Sequence, residues 1–137
     1  GTSLWHTGVK VFETSGSGVT VTGAVTATGT VSDSKGDVRK VFKNEQTGAY
    51  TLVAADSGKA VGADNTVTIP ASVFANGDMI TIYNTSSGNI TLTQGSGLTM
   101  YNTSDASTGN RTLASRGMAT VWFPANSSAY ISGAGLS

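Results

Sequence analysis

Apolar and polar positions alternate in steps of two along much of this chain, and the clearest such run lies near its end. Met118 to Phe123 puts Ala119, Val121 and Phe123 on one face and Met118, Thr120 and Trp122 on the other. Pro124 is expected to stop this strand, 125–128 to turn, and 129–132 to run back before Gly133, so 108–137 predicts a terminal hairpin. The same period recurs in short runs at 50–53, 66–69, 79–83, 90–93, 98–101 and 110–113. The third and fourth flank an Asn-Thr-Ser-Ser-Gly-Asn loop and read as a second hairpin. Short strands at this spacing, separated by Gly, Asn and Ser, predict a β-sandwich. Its expected core is Ile80, Ile82, Ile90, Leu92, Leu98, Met100, Leu113, Val121 and Ile131. No segment keeps a helical period, so the expected fold class is all-β.

The first part of the chain has a different rhythm. Leu4-Trp5-His6 leads into a strand over 9–13, and Thr14 to Gly18 turns. From Val19 a six-residue repeat follows, with Val19, Val21, Val25 and Val31 on one stripe and threonine on the other. A single ribbon cannot bury such a stripe alone. Three chains wound about an axis would cover it, as would stacked hexads within one chain; the plain alternative is a hairpin of 19–22 against 25–28. Intertwining is favoured, because three hexads are few for a solenoid and the third is already degenerate. Lys35-Gly36-Asp37 ends the repeat. The expected organisation is therefore a short β shaft over 1–36 and a sandwich tip over 37–137. Residues 38–43 carry three cations and read as a lysine-protected edge strand.

Composition narrows the function. Gly, Ser and Thr make up about two-fifths of the 137 residues, and charged residues only 12%. Threonine favours strands, so this is exposed β-structure rather than a disordered linker. Eight basic and eight acidic residues cancel and form no basic stripe, which argues against nucleic-acid binding. No apolar run approaches the ~20 residues of a membrane helix, so no membrane insertion is expected. Cysteine is absent, which excludes disulfides and thiolate metal sites.

Catalytic chemistry is sparse. His6, the sole histidine, lies beside Trp5 in the expected shaft, where a Ser-His-Asp triad is hard to assemble. A threefold ring of His6 could hold a metal, but a surface or packed histidine is the better reading. The carboxylates fall mostly in predicted turns, where Asp bonds nearby backbone. There is no phosphate-binding loop or dinucleotide fingerprint. No enzyme activity, cofactor or metal is expected. Binding chemistry concentrates in 101–111: Tyr101, Asn102, Asp105, Asn110 and Arg111, with Trp122 as a further outward aromatic. Aromatic faces plus Asn, Asp and Arg suit sugar recognition; a solvated loop without a ligand is the alternative.

Two stretches carry a family resemblance. Gly8-Val-Lys-Val-Phe-Glu-Thr and Gly18-Val-Thr-Val-Thr-Gly-Ala-Val-Thr-Ala-Thr-Gly resemble a segment recurrent in tail fibres and related appendages of tailed bacteriophages. The remainder is similar to C-terminal domains of virion structural proteins from marine phages, particularly those infecting cyanobacteria. The matching stretches there are Asp37-Val-Arg, 49–59, Ile69-Pro, Gly77-Asp-Met-Ile-Thr-Ile-Tyr-Asn, Thr108-Gly-Asn-Arg-Thr-Leu, Arg116-Gly-Met-Ala-Thr and Ile131-Ser-Gly-Ala-Gly-Leu. The resemblance implies a homotrimeric fibre on the virion, with Val19, Val21, Val25 and Val31 at the trimer interface. It further implies a tip that meets a host cell-surface glycan or other receptor, other virion proteins as neighbours, and a natural chain that continues N-terminally. It brings no catalytic residues. The alternatives are a purely structural virion decoration or whisker, and a carbohydrate-binding adhesin module of a secreted bacterial protein.

Overall fold

The computed structural model describes residues 1–38 and 40–137, which form two compact units, Gly1–Val31 and Ser32–Ser137. The first is an antiparallel meander of β1 (Ser3–His6), β2 (Val9–Ser15) and β3 (Gly18–Val21). Thr7 and Gly8 both have positive φ, 50° and 79°, and join β1 to β2 in a two-residue turn whose twist suits paired strands. β3 takes only the start of the hexad repeat. Among the described residues, 22–31 forms no strand, so neither the stacked coil nor the hairpin of 19–22 against 25–28 is present in one chain. The valine stripe is bare: Val19, Val21, Val25 and Val31 are 41–72% exposed.

The second unit opens with a small hairpin, β4 (Ser32–Asp33) and β5 (Gly36–Asp37). Among the described residues of the edge strand expected over 38–43, only Lys43 lies in a strand, where it begins β6. Val38 lies in a turn, 40–42 takes no regular structure, and Arg39 of that segment lies outside the described residues. Nine further strands make one nearly closed sheet: β6 (Lys43–Gln46), β7 (Tyr50–Thr51), β8 (Ala60–Ala63), β9 (Val67–Ile69), β10 (Met79–Asn84), β11 (Ile90–Gln94), β12 (Thr99–Asn102), β13 (Arg111–Ala125) and β14 (Ser128–Leu136). Among the described residues, the unit is all-β apart from a single 3-10 turn at Ala54–Asp56.

The chain winds. β6, β8 and β10 lie parallel in one row, and β7, β9 and β11 lie parallel in another. Each passage from one row to the other and back is one turn, and there are three. Both rows end on β13, which runs antiparallel to β10 through 118–122 and to β11 through 111–113. β10 and β11 are thus not the hairpin that their connecting loop suggests. Each finds a parallel neighbour on one side and β13 on the other.

Strand alternation places the core. All nine expected core residues are buried, with Leu52, Val61, Ala63, Val67, Ile69, Phe74, Ala119, Phe123 and Ala129 in the same cluster. β13 bends between the rows through a bulge at 114–117, where Arg116 takes φ 61° and four residues face Gly135. Gly133 is required here, since a Cβ would stand 2.2 Å from the Met118 carbonyl oxygen. Pro124 does not stop β13, which runs on to Ala125. A register shift between Trp122 and Ala125 lets the ladder tolerate the missing N–H.

Polar groups close the core at both ends of the winding. In the first turn, buried Asp56 accepts the Tyr50 hydroxyl (2.9 Å), the Val53 N–H (2.9 Å) and the Asn44 amide (2.8 Å). In the last, buried Asn84 donates to the carbonyls of Gly88, Leu113 and Ala114 and accepts the Ser86 N–H, tying β10 to the bulge of β13.

Candidate ligand-binding face

The register of the sheet decides which outward side chains meet. Met79 pairs with Trp122, Trp122 with Tyr130, and Tyr130 with Tyr101. These four alternate with buried neighbours, so they all stand on the outer face, in one row across β10, β13, β14 and β12. At ~4.8 Å between strands the row is about 14 Å long. The ring centroids of Tyr101 and Tyr130 are 5.5 Å apart at 26°, and those of Trp122 and Tyr130 are 6.0 Å apart at 34°. Trp122 is 42% exposed and Tyr130 43%. The next row is hydroxylic: Thr81, Thr120 and Ser132, with the two threonine Oγ1 atoms 3.5 Å apart.

Farther along the same face, Glu45, Gly62 and Tyr83 are aligned on β6, β8 and β10. The Tyr83 hydroxyl donates to Glu45 across Gly62, where a Cβ would strike both side chains. That bond, helped by Lys43, holds the Glu45 carboxyl below its ordinary range and pushes the Tyr83 phenol up.

At the β12 end of the aromatic row lies an open depression of about 470 Å³, lined by Tyr101, Asn102, Thr103, Ala106 and Tyr130. None of the five is charged. Its rim is the loop 103–110, which is exposed to solvent and carries its own hydrogen bonds. The Asn102 N–H donates to the Ser107 carbonyl (2.8 Å), and the Ala106 N–H to the Asn102 carbonyl (2.8 Å). Asp105 accepts both the hydroxyl and the N–H of Ser107, which holds its carboxyl below the ordinary range.

The expected site residues therefore separate. Tyr101 and Trp122 share the row, joined by Tyr130, and Asn102 reaches the depression from a buried position. Its one side-chain hydrogen bond among the described residues is Oδ1 accepting the Ser104 N–H (3.3 Å), which leaves Nδ2 available. Asp105 is committed to Ser107. Asn110 spends its Oδ1 on the Gln94 N–H (2.9 Å). Arg111 pairs across the ladder with buried Leu92 and donates to the Ser107 hydroxyl (2.9 Å), while its Nε is buried without a partner. Asp105, Asn110 and Arg111 thus build the loop and do not line the depression. The sequence reading missed Tyr130, Met79 and Thr103. Alternation alone puts Tyr130 outward, between Ala129 and Ile131, but its place beside Trp122 and Tyr101 follows only from strand pairing.

The depression offers ring stacking and uncharged hydrogen bonding. Among the described residues, no group of three His, Asp or Glu side chains is placed to hold a metal ion. No helix is long and apolar enough to cross a membrane. Comparison with protein-family models, curated proteins and solved structures found no match to this chain.

Proposed function

We propose that this chain is a non-catalytic component of a phage virion fibre, a homotrimer in which 1–36 contributes a β shaft and 37–137 a β-sandwich tip. The tip attaches the particle to a host cell-surface glycan or other receptor, among other virion proteins. The observation that carries the reading is the bare valine stripe. Burying a valine stabilises by roughly 1.5–3 kcal/mol. A lone chain forgoes that at Val19, Val21, Val25 and Val31, whereas three copies wound about an axis recover it. A threefold tip also sums weak contacts into useful avidity.

Sedimentation equilibrium at two concentrations tests this. The expected result is a stable assembly of three chains that falls apart when Val21 and Val25 are replaced by Asp. A monomer at both concentrations overturns it. A second reading, a structural virion element with no receptor site, is supported by the hydrogen bonds that Asp105, Asn110 and Arg111 make within the chain. Binding of bacterial cells by the chain with loop 103–110 intact and shortened separates the two: attachment that is lost on shortening favours the tip, and no attachment by the intact chain favours the structural element.

A further inference from the structure

We infer that the aromatic row and the depression at its end form a binding site for a short neutral hexopyranosyl glycan, with Tyr130 at its centre. This rests on the attachment reading and gives it a place and a ligand class. Sugars present apolar C–H faces ringed by hydroxyls, so their sites combine aromatic surface with a few neutral donors and acceptors. Here the aromatic surface is Tyr101, Tyr130 and Trp122, and the neutral groups are the Asn102 amide and the Thr103 hydroxyl. Stacking of Tyr101 on Tyr130 fixes both side chains before a ligand arrives, so little rotamer freedom remains to be lost. The absence of charge among Met79, Trp122, Tyr130 and the five lining residues selects a neutral glycan over an acidic one.

A second copy of the chain fits this face less well. The row is one side chain wide and is bordered by the hydroxyls of Thr81, Thr120 and Ser132. A stable protein interface takes about 800 Å² from each partner, drawn from a broad and continuous patch. The end of the row is concave, which suits a small ligand better than a flat sheet face.

The test titrates the full chain with neutral trisaccharides of glucose, galactose, mannose and N-acetylglucosamine, by calorimetry and ligand-observed NMR, with sedimentation run alongside. The expected result is millimolar binding of at least one of them, weakened about tenfold or more by Tyr130→Ala. Thr103→Val, at an exposed loop position, keeps the fold and weakens binding about threefold by removing one hydrogen bond. The inference is overturned if none of the trisaccharides binds, or if binding is unchanged in both variants. It is overturned too if Tyr130→Ala disperses the assembly without touching sugar affinity, for the row then belongs to a neighbouring chain. A wild-type monomer that binds a trisaccharide and loses it in Tyr130→Ala supports the site and overturns the trimeric fibre instead.

Discussion

Residues Gly1–Val31 and Ser32–Ser137 use the same vocabulary of Val, Thr and Gly and reach opposite results. In the second unit a buried valine such as Val61 or Val67 has a parallel strand on either side and a second row across the core. In the first, Val25 has no strand beside it and is 72% exposed. The difference lies in what the chain supplies to itself. Winding three turns and adding a long antiparallel strand gives the second unit an inside. A three-stranded ribbon has two faces and nothing to put against either.

The largest way to break this contrast is to open the core. Phe123 is fully buried with its ring 4.6 Å from Phe74, so Phe123→Ala should cost about 3–5 kcal/mol in urea unfolding. Val25→Ala, by contrast, should leave the stability of a monomeric chain unchanged, and should act only as a concentration-dependent loss if copies associate. Equal costs at the two positions would dissolve the distinction.

A smaller effect is expected at the polar end of the first turn. Asp56→Ala leaves the Tyr50 hydroxyl, the Val53 N–H and the Asn44 amide without their shared acceptor, at about 1–3 kcal/mol. Hydrogen exchange should show the amides of β6 and β7 losing protection before those of β13. Uniform loss across the sheet would mean that the turns do not open in sequence.

The smallest effect depends on pH. The Ser57 hydroxyl and the Ala75 N–H hold the Asp78 carboxyl below its ordinary value of 3.8. The folded chain therefore takes up this proton less readily than the unfolded one. The stabilisation is complete above about pH 4–5 and is lost as pH falls through the lowered value. Asp78→Asn should lower the Tm by a few degrees at pH 7 and flatten part of its decline between pH 5 and 3. Glu45 and Asp105, also held low, keep the remaining slope.

Much of the core could be read from alternation, because the side-chain period of a strand is local. Ile80, Ile82, Val121 and Ile131 face inward whichever strands they pair with. Pairing itself is not local. The 79–83 and 90–93 runs look like a hairpin because a short polar loop joins them, yet each is drawn to a parallel neighbour and to β13. The candidate site was legible to the same extent. Alternation sets Trp122 opposite Val121 and Phe123, whereas Asn110 and Arg111 looked like ligand groups because turn-building and ligand-binding polar residues share a composition. Only the folded chain shows that Asn110 Oδ1 accepts the Gln94 N–H and, through the register, that Tyr130 bridges the aromatics.

The direction of the winding has a consequence for length. At β13 the parallel rows meet an antiparallel strand whose other edge is taken by β14, so no further turn can be added there. At β6 the row ends, among the described residues, with no strand beyond it. An inserted segment of one turn's length would have a place to dock against β6 and β7, and Lys43 and Glu45 on that edge keep unrelated strands from docking first. The unit is thus a spool with one finished end and one open end, and an added turn would pair with the sheet at the side where β6 and β7 lie.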